Sequence, residues 1–234
     1  CSNRPFGHFK AYAHAAARDD LEFVIHLGDY IYEYPVGTYP DTVMPGREIL
    51  PANEIITIDD YRQRYASYRV DPGLQELHRR FPMIAIWDDH EFANDTWKDG
   101  AQNHQPDEGP FPMRRAAALK AHAEWLPGPE RPWQRYDFGD LLSVITLDTR
   151  MTGRDQQLDL GAALKGGAKG LQDFRDGPWN SPGRTLLGAE QEAWVADALK
   201  GSVASGAKWQ LIAQQVVMGD IFTPKDALSW LGAN

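Results

Sequence analysis

The stretch LEFVIHLGDYIYE, residues 21–33, joins an apolar segment to a polar one. Its first seven residues are typical of a short buried strand, which ends at Gly28. Asp29 and Tyr32 follow in one tight loop. Ligands and metals bind at the carboxyl ends of strands in α/β proteins, so Asp29 and Tyr32 are candidate metal ligands, although Gly-Asp-x-x-Tyr alone is a weak signal. Aspartate can bridge two cations and a phenolate binds Fe3+ well. The alternative is an Asp that caps a helix and a Tyr that packs.

A second strand end repeats this design. The segment MIAIW, residues 83–87, is short and apolar, and it leads directly into DDHE, residues 88–91. Four ionisable residues after a buried strand are costly to place unless a cation pairs them. Asn94 and Asp95 would add oxygen ligands of the kind that Ca2+ and Mg2+ prefer. The two strand ends together predict a polynuclear metal site, with a solvated acidic turn as the alternative.

Outside these strand ends, helical and strand-like patterns alternate along the chain. Buried strands are predicted at residues 21–27, 83–87, 141–147 and 209–218. Helices are predicted at residues 9–18, from Thr57 toward Tyr68, at 112–126 and at 188–200. This alternation predicts a layered α/β domain. Long loops are predicted at residues 35–53 and 153–183, either as functional loops or as surface insertions.

Composition limits the classes of partner. The chain has 234 residues, enough for one large domain or two small ones, and a net charge of −9. This charge argues against specific nucleic-acid binding, but not against a phosphate substrate, because bound cations reverse the local field. Cys1 is the single cysteine, so the sequence has no disulfide framework. No apolar run approaches the ~20 residues that span a bilayer.

Other candidate residues are weaker when taken alone. A thiolate at Cys1 would favour iron or zinc, although a single cysteine is usually a small core residue. Arg114, Arg115 and Arg150 carry guanidinium groups that can bind phosphate, but a structural ion pair explains each at least as well. Asp148 follows the third predicted strand, and a structural role for it is at least as plausible as a catalytic one.

Taken together, these segments resemble the PhoD-like alkaline phosphatases, a branch of the metallophosphoesterases. The resemblance rests on CSNR at 1–4, HLGDYIYE at 26–33, DYRQRY at 60–65, WDDHE at 87–91, RAAA at 115–118, LDTR at 147–150 and GAEQ at 188–191. It therefore runs from the first residue to about Val217. The two motifs HLGDYIYE and WDDHE, in this order, are its most specific part.

The resemblance implies a fold, a reaction and a set of ligands. The fold is an αββα sandwich of two mixed β-sheets flanked by helices, in a single catalytic domain over residues 1–234. The reaction is metal-dependent hydrolysis of phosphate monoesters or diesters by a metal-activated oxygen nucleophile, with Fe3+ and Ca2+ as cofactors. The implied iron ligands are Cys1, Asp29 and Tyr32. The implied calcium ligands are Asp29 as a bridge, Asp89, Asn94 and, with less support, Glu91.

Further expectations come from the same resemblance. His90 would stabilise the leaving oxygen or the transition state, Arg115 would neutralise charge on the phosphoryl group, and the protein would act outside the cytoplasm, secreted or periplasmic. The family carries a later Gly-Asp-x-His-type motif, whereas Gly219-Asp220 is followed here by Ile221-Phe222 and no histidine comes after. The expectation is therefore a chain that lacks a C-terminal portion and the part before Cys1. A non-catalytic metal-binding or interaction domain on the same scaffold is the alternative function.

Overall fold

In the computed structural model, residues 1–129 and 131–218 are described, and their five strands form two sheets. The strands are β1 Val24–His26, β2 Met83–Ala85, β3 Gln134–Phe138, β4 Leu142–Thr146 and β5 Trp209–Ala213. The α-helices of this part are α1 Lys10–Ala16, α2 Ile58–Arg69, α3 Pro72–Arg80, α4 Phe111–Trp125, α5 Leu160–Lys165, α6 Gly167–Phe174 and α7 Ala189–Ala204. Single 3-10 turns lie at Arg4–Phe6 and Pro106–Glu108, and a π-helical turn at Arg175–Trp179.

The two sheets confirm the predicted α/β class. Strands β1 and β2 pair in parallel, with Ile25 opposite Ile84. In the second sheet, β4 pairs antiparallel with β3 and parallel with β5, so this sheet is mixed. Phe23, just before β1, stacks on Phe138 of β3 with ring centroids 4.5 Å apart. The parallel pairing of β1 and β2 matters most for function, because it brings the loops after both strands to the same edge.

The tyrosines of α2 lie in the buried core of the protein. Thr57 and Asp60 form a capping box at the start of α2, in which Asp60 Oδ2 accepts from the Thr57 main-chain N–H at 2.9 Å. Tyr61, Tyr65 and Tyr68 then point into the main hydrophobic cluster and are fully buried.

Other helices cover the remaining parts of the core. Helix α1 packs against α3, and α7 covers Ile145 and Leu147 of the second sheet.

Several predicted elements differ from the observed ones. The loop predicted at 153–183 is wrong, because it contains α5 and α6. Asp159 begins α5 by accepting a hydrogen bond from the Ala162 main-chain N–H at 2.9 Å, a signal hidden by the glycine-rich composition. Helix α3 was missed although Asp71 caps it and Pro72 occupies its first turn. Strand β3 was missed because its sequence, QRYDF, becomes a strand through pairing with β4.

The observed strands are shorter than the predicted ones. Residues 209–218 were predicted as one strand, whereas β5 ends at Ala213. The predicted loop at 35–53 is irregular, with neither helix nor strand. Gly219-Asp220 and the dipeptide Ile221-Phe222 lie outside the described residues. In the described residues, no helix combines the length and the apolar character needed to cross a membrane.

Candidate metal centre

The loops after β1 and β2 touch at Gly28. Its φ is +95°, and a Cβ atom on it would lie 2.3 Å from the main-chain nitrogen of Asp88. Only glycine allows both the backbone conformation and this approach. Among the described non-glycine residues, positive φ values occur at Asp29 (+52°) and Asp95 (+51°), one in each loop. Strained backbone of this kind concentrates at functional sites, where surrounding contacts hold it in place.

The predicted ligands from the first loop and the N-terminal segment converge on Asp29. The Cys1 thiol donates to Asp29 Oδ2 over 3.1 Å, and the Tyr32 hydroxyl donates to the same oxygen over 3.1 Å. The other oxygen of Asp29, Oδ1, is buried and has no hydrogen-bond partner. A buried carboxylate oxygen without a partner is costly unless something else binds it.

The second loop brings Asp89 and His90 to the same place. One ligand atom each from Asp29, Asp89 and His90 lies within 4.8 Å of the others, and all three residues are buried. Carboxylate oxygens suit hard cations, while the thiol and phenol suit iron. The sulfur and oxygen donors of Cys1, Asp29, Tyr32 and Asp89, with the unpartnered Asp29 Oδ1, therefore fit a metal centre that spans both loops, and His90 lies beside it.

The electrostatics of the site favour a cation. Burial and the charge of Asp89 raise the pKa of Asp29, against the opposing effect of His90. Burial raises the pKa of Asp88 to about 6 although Arg150 opposes the shift. Burial and the neighbouring Asp29 also raise the pKa of the Tyr32 phenol. A bound cation would reverse each of these shifts, because it stabilises the ionised form of every group around it.

His90 is held by contacts on its face and at one ring nitrogen. Its Nδ1 lies 2.7 Å from Glu33 Oε2, and its ring stacks on Tyr32 with centroids 4.2 Å apart. Burial lowers the pKa of His90, but the hydrogen bond and charge of Glu33, with the charges of Asp89 and Asp29, outweigh it and raise the pKa to about 9. Glu33 was not predicted as a site residue, because its partners lie more than fifty positions away in the sequence.

Glu91 serves the main chain of both loops. Its Oε2 accepts from the main-chain N–H groups of Asp29 (3.1 Å) and Asp88 (2.8 Å), and its Oε1 accepts from that of Tyr30 (2.5 Å). The side chain is fully buried. These hydrogen bonds account for a buried carboxylate at Glu91 without a role as a metal ligand. They fix the main-chain conformation at Asp29.

The side-chain oxygen of Asn94 is available as a ligand, because the hydrogen bonds of this side chain are donated by its amide nitrogen. Its Nδ2 donates to Gln102 Oε1 at 2.9 Å and to Asp95 Oδ2 at 3.4 Å. The neighbouring Asp95 main-chain N–H donates to Asp89 Oδ2 at 2.6 Å. This arrangement is compatible with the predicted calcium ligand, and the role of Asn94 stays a prediction.

Of the two arginines after β4 and in α4, Arg150 contacts the metal centre and Arg115 contacts main-chain carbonyls elsewhere. Arg150 forms ion pairs with Asp88 (2.6 Å) and Asp89 (3.4 Å), which places it at the centre. Arg115, the predicted catalytic arginine, donates instead to the main-chain carbonyls of Met151 (3.1 Å) and Lys98 (3.5 Å). Among the described residues, Arg115 therefore makes no hydrogen bond to the predicted metal ligands that would support its predicted role.

The remaining candidates are structural. Arg114 is buried and pairs with Glu54 at 2.7 Å and Glu108 at 3.1 Å, which ties α4 to two loops. Asp148 accepts from the main-chain N–H groups of Arg150 and Met151, both at 2.9 Å, and so shapes the turn after β4. For both residues, these contacts support the structural role that the sequence analysis gave as the alternative.

A partly buried relay of hydrogen bonds behind the site positions the N-terminal segment. The Gly28 N–H donates to His26 Nδ1 at 3.3 Å, so the neutral ring carries its proton on Nε2 and donates it to the Tyr12 hydroxyl at 2.7 Å. Tyr12 then donates to Ser2 Oγ at 2.7 Å. Burial lowers the pKa of His26 to about 3, which keeps the ring neutral. The relay joins Ser2, beside Cys1, to the loop that carries Asp29.

Comparisons with known proteins identify the family of the chain. A family model described as PhoD-like phosphatase matches residues 1–230. The chain is 38% identical over 225 residues to alkaline phosphatase D of Bacillus subtilis (strain 168), which covers 92% of this chain and 36% of that protein. It also superposes on a solved structure of PhoD with a TM-score of 0.76 and 32% sequence identity, covering 94% of this chain and 41% of that one. The chain thus spans less than half the length of either relative.

Proposed function

The chain belongs to the PhoD-like phosphatase family, and on that basis we propose that its metal centre hydrolyses phosphate esters, either monoesters or diesters. The observation that carries the proposal is the convergence of Cys1, Tyr32 and Asp89 on Asp29, whose buried Oδ1 has no protein partner. Similarity to an alkaline phosphatase supports the reaction class. Among the described residues, no observation favours the alternative function, a non-catalytic domain.

The family resemblance implies Fe3+ and Ca2+ as cofactors, and the donor chemistry is compatible with both. Fe3+ would be held by Cys1, Asp29 and Tyr32, since thiolate and phenolate are strong ligands for it. Ca2+ would be held by Asp29, Asp89 and Asn94, which offer oxygen atoms alone. When bound, the cations would polarise the phosphoryl oxygens and activate the attacking oxygen.

The protein's own groups would orient the substrate and stabilise developing charge. Arg150, fixed by Asp88 and Asp89, is well situated to meet a phosphoryl oxygen, because guanidinium binds such oxygens through two parallel hydrogen bonds. Arg115 stays a second candidate for this role. His90 would donate a hydrogen bond to the leaving oxygen from Nε2, the nitrogen that Glu33 does not engage.

We further propose where the protein acts and on what. An open cleft of about 600 Å3 borders Cys1 and Tyr32 and is lined by Phe6, Phe9 and Tyr39, which gives a substituent of the ester room beside the centre. The negative charge of the chain disfavours nucleic acid as the substrate. Action outside the cytoplasm is the family expectation, and we retain it as part of the proposal.

Metal analysis and paired esterase assays test this proposal. The full-length protein is purified, its metals are measured, and hydrolysis of 4-nitrophenyl phosphate is compared with that of bis(4-nitrophenyl) phosphate. We expect turnover that Asp29→Ala and Asp89→Ala abolish, while Asp173→Asn, an exposed residue paired with Lys169, retains it. Full activity in either alanine variant would refute the assignment. Bound metal without turnover of either ester would favour the non-catalytic alternative.

A further inference from the structure

We propose that Arg154 and Arg184 form a phosphate-binding subsite beside the metal centre, which selects esters whose alcohol part carries a second phosphoryl group. Both residues line an open cleft of about 410 Å3 in the second half of the chain. The inference rests on the proposed function for the reaction that the subsite would serve, whereas the binding of phosphate itself does not depend on turnover.

The guanidinium groups of Arg154 and Arg184 have few partners within the protein. Arg154 Nη1 donates one long hydrogen bond, of 3.4 Å, to the main-chain oxygen of Thr149. Arg184 Nη2 donates one, of 2.5 Å, to that of Gln156. Within residues 1–129 and 131–218, neither forms an ion pair, whereas every other arginine there has an ion pair or at least two hydrogen bonds. The remaining N–H donors of such a fork match the oxygens of a phosphoryl group.

Asp155 lines the same cleft but does not neutralise the two arginines. Its Oδ1 accepts from Lys98 Nζ at 2.7 Å, and its Oδ2 accepts from the Thr185 main-chain N–H at 2.9 Å. In the part of the chain that the structure describes, its ion pair is with Lys98 and not with either arginine. The cleft is therefore locally positive although the whole chain carries a net charge of −9. A cleft lined by one sign of charge attracts ions of the opposite sign.

The main chain around both arginines is held by hydrogen bonds to other segments. The main-chain oxygen of Arg154 accepts from the Lys98 N–H at 3.1 Å. The Asp155 N–H donates to the main-chain oxygen of Thr185 at 3.1 Å, so the residues next to Arg154 and Arg184 are bonded to each other. A fixed main chain that carries two guanidinium groups with few partners is pre-organised for a ligand, because binding then requires little ordering of the backbone.

Arg154 lies beside the group of residues that forms the metal centre. Its hydrogen-bond partner Thr149 directly precedes Arg150, which pairs with Asp88 and Asp89. Burial and the charge of Arg150 lower the pKa of Arg154, while the charges of Asp88 and Asp89 oppose the shift. A bound phosphate would relieve the repulsion between the two guanidinium groups. An ester that reacts at the centre can therefore place a second phosphoryl group, one short carbon chain away, beside Arg154.

The cleft also offers apolar surface for the carbon chain between two phosphoryl groups. Trp179 and Leu160 line it and are 62% and 45% exposed. Inorganic phosphate would contact the arginines alone, whereas a phosphorylated alcohol would also remove this apolar surface from water. The combination of cationic and apolar side chains therefore favours a phosphorylated alcohol as the natural occupant.

Chemical modification of arginine tests the subsite without any assay of activity. The full-length protein is freed of metal by a chelator, the chelator is removed, and phenylglyoxal is added with or without inorganic phosphate. Peptide mass spectrometry then gives the rate of modification of each arginine. We expect fast modification of Arg154 and Arg184, slowed about tenfold once the phosphate concentration is about ten times its Kd. Sodium chloride at the same ionic strength should not protect them.

Arg175 is the matched control for this experiment, because it is exposed and pairs with Asp176 at 3.0 Å outside the cleft. Phosphate should leave its rate of modification unchanged. Slow modification of Arg154 and Arg184 without phosphate would mean that other groups of the full-length protein already pair with them, and would overturn the proposal. A lack of protection by phosphate at Arg154 or Arg184 would overturn it as well. Both outcomes hold whether or not the protein is an esterase, and neither needs a variant to fold.

Kinetics with a matched pair of esters test the specificity. Propyl phosphate is compared with propane-1,3-diyl bisphosphate, and the methyl diesters of both are used if the protein hydrolyses diesters alone. We expect Arg154→Gln to lower kcat/KM for the bisphosphate about tenfold more than for propyl phosphate, the size of one charge-assisted hydrogen bond. Arg175→Gln removes the same charge and should leave the ratio of the two values unchanged.

The ratio also separates the failure of the subsite from the failure of the proposed function. A ratio that Arg154→Gln leaves unchanged, or that Arg175→Gln lowers equally, would overturn the proposal. If the wild type hydrolyses no phosphate ester, the proposed function fails, and the protection of Arg154 and Arg184 by phosphate still decides whether the subsite exists.

Discussion

Glu33 and Glu91 both accept hydrogen bonds across the metal centre, each from the loop to which the carboxylate does not belong. Glu33, after β1, accepts from the Asn94 main-chain N–H and from His90, while Glu91, after β2, accepts from the Asp29 and Tyr30 main-chain N–H groups. Both side chains are fully buried. The ligand positions are thus fixed mainly by two carboxylates that need not bind metal, in the way that outer groups orient first ligands at metal sites.

The first prediction concerns the stability that Glu91 provides. In Glu91→Ala, the main-chain N–H groups of Asp29, Tyr30 and Asp88 lose their buried acceptor, at about 1–3 kcal/mol each. We expect the free energy of unfolding of the metal-free protein to fall by at least about 3 kcal/mol, measured by urea denaturation. Glu48→Ala is the control, because this exposed carboxylate accepts one bond from Gly46 and should cost well under half as much. Equal losses in the two variants would contradict this account.

The second prediction concerns the contact between the loops at Gly28. In Gly28→Ala, the added methyl would meet the Asp88 main chain at 2.3 Å with φ at +95°, so the loops must separate. We expect a loss of at least about 3 kcal/mol in unfolding free energy together with weaker metal binding. Gly139→Ala is the matched control: its φ is also positive, at +59°, but nothing lies within 4 Å of the added methyl. It should show the backbone cost alone, about 1 kcal/mol.

The sequence predicts those features of the molecule that depend on residues close together in the chain. The ends of β1 at His26 and of β2 at Ala85 were predictable to within about two residues, because an apolar run stops where polar residues begin. Cys1, Asp29 and Tyr32 were named through a family resemblance, and the structure brings all three together. These inferences needed residue type and order, with no knowledge of distant contacts.

Contacts between distant segments lay beyond sequence reasoning. Glu33 looks like any charged residue after a strand, and its role depends on His90, 57 positions later. Arg115 and Arg150 have the same chemistry in sequence, and only the turn after β4 brings Arg150 to Asp88. Each case depends on pairings that the sheet register creates.

The third prediction separates the two proposed metals. Cys1→Ser replaces a soft thiolate with a hydroxyl, so iron binding should weaken strongly while calcium binding, which relies on oxygen ligands, is affected much less. Elemental analysis of the purified variant measures both. Tyr32→Phe should lower iron as well and also remove the visible absorption that a phenolate bound to Fe3+ produces. Unchanged iron content in both variants would show that the iron site lies elsewhere.

The last prediction uses the raised pKa of His90 in protein freed of metal by a chelator. Its pKa is about 9 in the folded state against 6.5 ordinarily, so the folded state binds the proton more tightly than the unfolded state does. The resulting stabilisation is complete below pH 6.5 and disappears as the pH rises through 9, a change of about 3 kcal/mol. The difference in unfolding free energy between the wild type and His90→Asn should shrink by that amount between pH 6 and about pH 10, as measured by urea denaturation at each pH. A difference that stays constant over this range would mean that Glu33 and the neighbouring aspartates do not hold a charged imidazolium, and that the contact between Glu33 and His90 is made by a neutral ring.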